Sequence, residues 1–97
     1  MPVTVILQAQ AKPADIENFK TYIAKCLPET RSYNGCINID IYEDKNNKGS
    51  FIFYEYWESV NAYEAYLEYR TKQGVMEKIG SMLITPPEIT YYDKVAI

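Results

Sequence analysis

The chain has 97 residues, of which 47% are apolar and 24% charged, with a formal net charge of −3 and no histidine. This size and composition are typical of one globular domain over residues 1–97, and the acidic balance disfavours nucleic acid and anionic membranes as partners. No apolar run reaches the roughly 18 residues of a membrane span, and residues 1–3 lead into a strand pattern rather than a signal sequence, so we expect a cytoplasmic protein.

The missing histidine and the two cysteines restrict the chemistry that the chain can perform. Cys26 and Cys36 are too far apart for a C-x-x-C motif and too few for a disulfide framework. Histidine is the commonest general base near neutral pH, the commonest metal ligand and a frequent haem ligand. We therefore expect no metal and no cofactor, so that any catalysis has to use carboxylate, phenol or amide groups.

The N-terminal third of the chain predicts a strand followed by a helix. Every second residue from Val3 to Ala9 belongs to an apolar set, which is typical of a strand with one buried face. Pro13 suits the first turn of a helix, and apolar residues at intervals of three and four up to Leu27 give that helix one buried side. Pro28 is expected to disturb the helix without ending it, and Gly35 marks the stop.

A hairpin is predicted in the middle of the chain. Residues 44–49 have the composition of a turn and link a second strand, starting at residue 36, to a third strand over residues 51–57. We expect one face of the second strand to contain Ile37, Ile39 and Ile41, and the other Cys36, Asn38, Asp40 and Tyr42. The third strand has bulky side chains on both faces, with Phe51, Phe53 and Trp57 on one and Ile52, Tyr54 and Tyr56 on the other.

The C-terminal part predicts a helix, a second helical piece and a closing strand. Ser59 is a good N-cap for the helix that follows it. Gly74 marks a break, after which helical spacing resumes from Val75 to Leu83. The Thr-Pro-Pro run at 85–87 stops this piece, and residues 88–95 are predicted to form the last strand.

The order of these elements predicts an α+β fold of the ferredoxin-like β-α-β-β-α-β type. Right-handed crossovers place both helices on one face of a four-stranded antiparallel sheet. The opposite face would then leave the apolar side chains of the third strand in water, at a cost of roughly 1.5–3 kcal/mol each. We therefore expect a homodimer in which two such faces pack together, with a loop or tail folded over the sheet as the alternative.

Four segments of the chain resemble a known family. They are Lys12-Pro13 at the first helix, residues 28–36 (P-E-T-R-S-Y-N-G-C), residues 54–62 (Y-E-Y-W-E-S-V-N-A) and Pro86-Pro87-Glu88 before the last strand. In order and spacing they are similar to the antibiotic biosynthesis monooxygenase family over nearly the whole chain, and E-x-W-E-S is the most specific piece. The resemblance implies a dimeric α+β barrel with a pocket between sheet and helices in each subunit.

The activities of this family are broader than its name, and the fold alone does not choose between them. The family includes cofactor-independent oxygenases of quinols and anthrone-like polyketides, haem-degrading enzymes and isomerases of small phosphorylated signals. Haem-degrading members resemble this chain in outline but have Trp at the position of Tyr66, His near Met76 and Asn near Ile6 or Gln8. None of these matches, so the resemblance favours a cofactor-free monooxygenase acting on a small aromatic molecule.

Cofactor-free oxygenation needs a base, hydrogen-bond donors that hold an anion, and an apolar pocket that admits oxygen. Among the residues of this chain, the phenol of Tyr66 is a candidate donor. Glu55, or alternatively Asp40, is a candidate base if burial raises its pKa. We expect the catalytic residues to be Tyr66 and Glu55. The residues expected to bind the substrate are Gln8, Asn38, Trp57 and Tyr63.

Each of these residues also has a purely structural interpretation. Tyr66 has helical spacing with Tyr63, which is typical of a core or rim aromatic. Trp57 suits an anchor at the end of a strand. A strand carboxylate such as Glu55 usually finds a cation, here Arg31, Arg70 or a lysine across a dimer.

Two functions of other classes remain open. An RNA-binding module has the same element order, and the segment K-G-S-F-I-F at 48–53 superficially resembles its motif, but Ser50 replaces the stacking aromatic and the domain is acidic. The second alternative is a dimeric barrel that binds a small molecule without turning it over, which the lack of histidine favours, or an isomerase-type member of the family.

Overall fold

The computed structural model describes residues 2–97 as one four-stranded antiparallel sheet covered by helices. Strand β1 (Val3–Gln10) leads through a short 3₁₀ turn to helix α1 (Ile16–Ser32), followed by the hairpin strands β2 (Cys36–Glu43) and β3 (Ser50–Trp57). Helices α2 (Val60–Lys72) and α3 (Val75–Ser81) then precede β4 (Glu88–Tyr92). The strand order β2-β3-β1-β4 confirms the predicted ferredoxin-like topology. Within the same residues, no helix has the length and apolarity needed to cross a bilayer.

The helix boundaries follow the local signals in the sequence. Helix α1 continues through Pro28, as predicted, because Phe19 and Ile23 before the proline and Thr30 after it are all buried against the rest of the fold. The Ser59 side chain accepts a hydrogen bond from the Ala62 amide at 3.0 Å, which confirms it as the N-cap of α2.

Strict alternation in β1 and β3 places one set of side chains under the helices. This set comprises Val3, Val5, Leu7 and Ala9 of β1 and Phe51, Phe53, Glu55 and Trp57 of β3. The apolar members fall into two core clusters, one around Phe19 of α1 and one around Tyr63 and Tyr66 of α2. Glu55 lies between Phe53 of the first cluster and Trp57 of the second, so it occupies the junction of the two clusters.

A β-bulge in β2 changes the face on which two residues lie. Cys36 pairs with Trp57 and Asn38 pairs with the next residue, Tyr56, so Ile37 is the extra residue of the bulge. The prediction that Ile37 lies on the same face as Ile39 is therefore wrong, and Ile37 is 49% exposed. Cys36, predicted to lie on the opposite face, packs under the helices instead.

The other face of the sheet carries no helix in residues 2–97 and mixes apolar with polar side chains. We call it the open face, and its apolar members are Ile6, Tyr42, Ile52, Tyr54, Tyr56 and Tyr92. Strand β4 ends at Tyr92, which pairs with Thr4, rather than at the predicted residue 95. The pairing of β4 with β1 thus ends one residue before the start of β1 at Val3 is reached.

The approach of the loop before β2 to helix α2 depends on Gly35. Gly35 has φ +95°, a conformation that L side chains rarely adopt, and a Cβ atom placed on it would lie 2.7 Å from the Cβ of Ala62. By contrast, a Cβ atom on Gly80, in helix α3, would meet no atom within 4 Å.

We expect Gly35→Ala to lower the free energy of unfolding by about 3 kcal/mol, since it adds both backbone strain and a steric overlap. Gly80→Ala is the matched control, and it should leave stability unchanged or raise it by about 0.5–1 kcal/mol. Urea unfolding of the variants at one protein concentration measures both effects. Equal midpoints for the two variants would contradict the packing role of Gly35.

Candidate functional site

A carboxyl group on the central strand β3 forms the chemical centre of the site. Glu55 is 2% exposed, and Trp57 donates a hydrogen bond from its indole Nε1 to Glu55 Oε1 at 3.0 Å. Within residues 2–97 Glu55 forms no salt bridge, because Arg31 lies beside Asp40 at 3.6 Å and Arg70 beside Glu29 at 3.1 Å. The interpretation of Glu55 as one half of an ion pair with either arginine is therefore wrong.

Burial without a cation changes the acidity of this carboxyl group. Removal from water raises the pKa of Glu55 to about 7, and the hydrogen bond from Trp57 offsets only part of this effect. The group is thus close to half-protonated at neutral pH. A carboxyl group in this state can both accept a proton and return one, which is what general acid-base catalysis requires.

Glu55 borders a cavity of about 40 Å³ between the sheet and the helices. The cavity lies at the junction of the two core clusters, and its walls come from the sheet and from all three helices. Its lining residues include Leu7, Ile23, Thr30, Phe53, Glu55, Tyr63, Tyr66, Met76 and Ile79. A cavity that holds benzene measures about 150 Å³, so this one admits a water molecule or a diatomic gas but no aromatic ring without movement of a wall.

Tyr66 of α2 also lines the cavity, and its hydroxyl group belongs to a buried hydrogen-bond network. Tyr66 Oη lies 2.6 Å from Thr30 Oγ1 and accepts a hydrogen bond from Arg70 Nε at 3.0 Å. The Thr30 hydroxyl is also within 3.2 Å of the Cys26 carbonyl oxygen. Burial raises the pKa of Tyr66, although the hydrogen bonds from Thr30 and Arg70 oppose the shift, so the phenol stays neutral at pH 7.

The central member of this network, Arg70, was not predicted as a site residue. It is 3% exposed and donates to Tyr66, to Glu29 and Gln73, and to the Cys26 carbonyl and Thr30 hydroxyl oxygens. The one signal in the sequence is its position four residues after Tyr66, on the same side of the helix. Through these contacts Arg70 joins α2 to α1 above the cavity.

The structure gives Trp57 and Tyr63 different positions relative to the cavity. Tyr63 is 1% exposed and lines it, and burial strongly raises the pKa of its phenol. Trp57 is fully buried and packs against Tyr63 and Tyr66, with ring centroids 5.4 Å and 5.0 Å away. Its contact with the site is the hydrogen bond that orients Glu55, so it acts as an anchor rather than as part of the cavity wall.

Gln8 and Asn38 lie on the open face of the sheet, opposite the cavity. Gln8 pairs with Ile52, and Asn38 donates a hydrogen bond to Asp40 at 3.2 Å. Alternation along the strands separates all three side chains from Glu55, whose neighbours on the helix side are Phe53 and Trp57. The structure therefore does not bring Gln8 and Asn38 to the same site as Tyr66, and Asp40 is not a base for this cavity.

Two other kinds of site have no counterpart among the described residues. Phe51 and Phe53, the aromatic residues of the K-G-S-F-I-F segment, are buried under the helices and do not present their rings to a nucleic-acid base. No group of three cysteine, aspartate or glutamate side chains in residues 2–97 could hold a metal ion. Cys26 and Cys36 are both free thiols.

Comparisons with known proteins agree with this geometry. The family model described as antibiotic biosynthesis monooxygenase matches residues 2–76. An uncharacterized protein of Synechocystis sp., sll1783, is 30% identical over 91 residues, which cover 94% of this chain. The match spans only 62% of that relative's length.

Solved structures show the same fold. A conserved protein from Methanosarcina mazei Go1 superposes with a TM-score of 0.89 at 20% identity, covering 98% of this chain and 94% of the other. A crystal structure described as an antibiotic biosynthesis monooxygenase gives a TM-score of 0.87 at 22% identity, covering 96% and 98% of the two chains. At these identities the likeness establishes the fold and no more.

The raised pKa of Glu55 predicts a specific pH dependence of stability. The folded state binds the Glu55 proton more tightly than the unfolded state, whose pKa is near 4.5. The stabilisation is therefore complete below pH 4.5, decreases as the pH rises to about 7, and is absent above that. Over this range the wild type should lose about 3 kcal/mol relative to Glu55→Gln, which does not titrate.

Denaturant unfolding of both proteins at several pH values measures this difference, and the subtraction cancels the other carboxyl groups. Glutamine keeps an acceptor for the Trp57 indole, so the variant is a close steric match. A stability difference that is the same at pH 4.5 and pH 7.5 would show that Glu55 is not desolvated as described.

Proposed function

The chain belongs to the antibiotic biosynthesis monooxygenase family, and from that premise we propose that it is a cofactor-independent monooxygenase of a small quinol or anthrone-like aromatic. The observation that carries the proposal is Glu55, a buried carboxyl group without a cation, with a pKa near neutrality, at the edge of a cavity between sheet and helices. A substrate of this class is acidic and electron-rich, so one proton acceptor suffices to activate it toward oxygen.

In the proposed reaction a CH₂ group between aromatic rings becomes a carbonyl group, and dioxygen is reduced to one product oxygen and one water. Ionised Glu55 removes a proton from this carbon, and the resulting carbanion transfers one electron to dioxygen. Recombination of the radical pair forms a carbon–oxygen bond, and Glu55 returns its proton to the peroxide. Loss of the second carbon-bound proton together with hydroxide then leaves the carbonyl group and water.

Tyr66 has the hydrogen-bond freedom to stabilise the anion in this reaction. The Thr30 hydroxyl has two acceptors within reach, Tyr66 Oη and the Cys26 carbonyl oxygen. When Thr30 donates to Tyr66, the phenol hydrogen is released and is able to point into the cavity. The Cys26 carbonyl oxygen stays satisfied, since Arg70 also donates to it at 2.9 Å. A substrate oxyanion would favour this arrangement.

An aromatic substrate requires the cavity to widen. We propose that helix α3, which forms one wall of the cavity, moves to make this room. Val75, Met76 and Ile79 of α3 line the cavity. The helix has only seven residues and follows Gly74, whose φ of +80° separates it from α2. A displacement of this short helix would enlarge the cavity without altering Glu55 on β3.

We expect dioxygen consumption above the uncatalysed rate with at least one member of a panel of reduced quinones and anthrones, with no flavin or metal added. Glu55→Gln should lower kcat by roughly 100-fold or more, because the base is lost. Tyr66→Phe should lower it by roughly 100-fold, because one donor to the anion is lost. Tyr42→Phe, which removes a phenol from the open face, is the control and should match the wild type.

The oxygenase proposal fails if no panel member is consumed faster than in buffer. The second candidate, binding without turnover, is favoured by the engaged Tyr66 hydroxyl of the resting site. It predicts a change in Trp57 fluorescence on adding a panel compound, with no dioxygen uptake. Turnover that is unchanged in Tyr66→Phe would remove Tyr66 from the mechanism while leaving the role of Glu55 intact.

We further propose that two copies of the chain form a homodimer through the open faces of their sheets. Ile52 and Tyr54 on the central strand β3 are 37% and 46% exposed in the single chain. Packing such side chains against a second copy would remove apolar area from water, worth roughly 1.5–3 kcal/mol for each large side chain fully buried. The two free thiols suit a reducing compartment, so a cytoplasmic dimer is the form that we propose.

We expect the wild type to sediment at micromolar concentration with twice the chain mass of 11.3 kDa. Ile52→Lys should shift it toward the monomer, because a lysine would place a charge within the apolar contact. Asn61→Lys, on an exposed position of α2, is the matched control and should remain dimeric. A wild type that sediments as a monomer would rule out the dimer.

A further inference from the structure

Aromatic rings form a continuous path from the buried site to the surface. The Trp57 ring packs on Tyr66 at a centroid distance of 5.0 Å, Tyr66 packs on Tyr33 at 5.2 Å, and Tyr33 packs on Tyr69 at 5.1 Å. Trp57 is fully buried, whereas Tyr33 and Tyr69 are half-buried at the surface. We call this path the first branch.

A second branch leaves Trp57 in another direction. The Tyr63 ring lies 5.4 Å from Trp57, and the Tyr91 ring lies 6.0 Å from Tyr63. Tyr91, on strand β4, is 39% exposed. Both branches therefore begin at the indole that hydrogen-bonds Glu55 and end at a tyrosine that water reaches.

Each terminal tyrosine has a carboxylate as its hydrogen-bond acceptor. Tyr69 donates its hydroxyl hydrogen to Glu29, and Tyr91 donates to Glu64 Oε2 at 3.3 Å. A phenol that loses an electron becomes a strong acid, so an adjacent carboxylate that takes its proton makes the oxidation easier. Packing alone does not account for this pairing, because phenylalanine rings would fill the same space without a hydroxyl or an acceptor.

From these two observations we infer that the aromatic branches are a relay that carries oxidising equivalents from the cavity to Tyr69 and Tyr91 at the surface. Its biological purpose rests on the proposed oxygenase function, since radicals that escape coupling at the site would otherwise damage the core. The relay itself is a property of the resting protein and requires no substrate.

Each step of the relay moves one electron and one proton. A substrate radical that escapes coupling adds dioxygen and becomes a peroxyl radical. This radical takes one electron from Trp57 and the proton of protonated Glu55, and becomes a hydroperoxide. Trp57 regains an electron from Tyr69 across the Tyr66 and Tyr33 rings, while the Tyr69 proton moves to Glu29. A small-molecule thiol in solution then gives a hydrogen atom to the Tyr69 radical and ends as a thiyl radical. Glu29 loses its proton to water, and Glu55 takes one up.

The experiment uses the fact that Trp57 is the only tryptophan in the chain. Light that indole absorbs and phenol does not, with a cobalt(III) ammine complex as irreversible electron acceptor, oxidises this residue selectively. A water-soluble spin trap then labels surface radicals, and mass spectrometry locates the adducts. In the wild type we expect adducts on Tyr69 and Tyr91, and no comparable labelling of Tyr22, which is half-buried on α1 and lies outside both the branches and the open face.

Two variants interrupt the branches separately while keeping a ring in place. Tyr33→Phe should abolish the adduct on Tyr69 and keep the one on Tyr91, and Tyr63→Phe should do the reverse. The double variant should lengthen the lifetime of the Trp57 radical several-fold in transient absorption. Tyr54→Phe, on the open face, is the control and should label like the wild type.

Undiminished labelling of Tyr69 in Tyr33→Phe, or labelling of Tyr22 equal to that of Tyr69 in the wild type, would overturn the relay. If one variant does not fold, the other still decides, because each branch has its own readout. The test uses no substrate, so a protein without oxygenase activity can still pass it, and an active oxygenase can fail it.

Discussion

The arrangement of the core depends on keeping the carboxyl group of Glu55 out of water without giving it a cation. Strict alternation along β3 forces Glu55 to the helix side between Phe53 and Trp57. Desolvation of a charge is costly, so the group is held near its neutral form and satisfied by the Trp57 indole. The two apolar clusters meet around it rather than merging, and the cavity lies at that junction.

Arg70 is the other deeply buried ionisable side chain of this site, and unlike Glu55 it is surrounded by hydrogen-bond and ion-pair partners. It is as deeply buried as Glu55 but donates to side-chain and carbonyl oxygens of both helices, with Glu29 as its ion-pair partner. A buried guanidinium requires nearly every donor to be used. The same network leaves Tyr66 facing the cavity beside Thr30, whose hydroxyl hydrogen has two alternative acceptors. The fold thus separates an unpaired acid on the sheet from a fully paired cation on the helices.

Much of this could be predicted from the sequence, and the failures have physical causes. Alternation along β1 already put Gln8 on the face opposite Leu7, so its assignment to the cavity conflicted with the strand pattern itself. The same pattern put Glu55 on the Phe53 and Trp57 face, which the structure confirms. The bulge at Ile37 has no local signature, because it depends on pairing with β3. The surroundings of Arg70 come from residues about 40 positions earlier, and no local pattern encodes such a contact.

The cavity beside Glu55 has a consequence for the volume of the molecule. Empty space inside a folded protein is lost when the chain unfolds, so it contributes to the sensitivity of the native state to hydrostatic pressure. Here that space lies at the junction of two core clusters rather than within one of them. A ligand that occupies the void would therefore oppose the effect of pressure on folding.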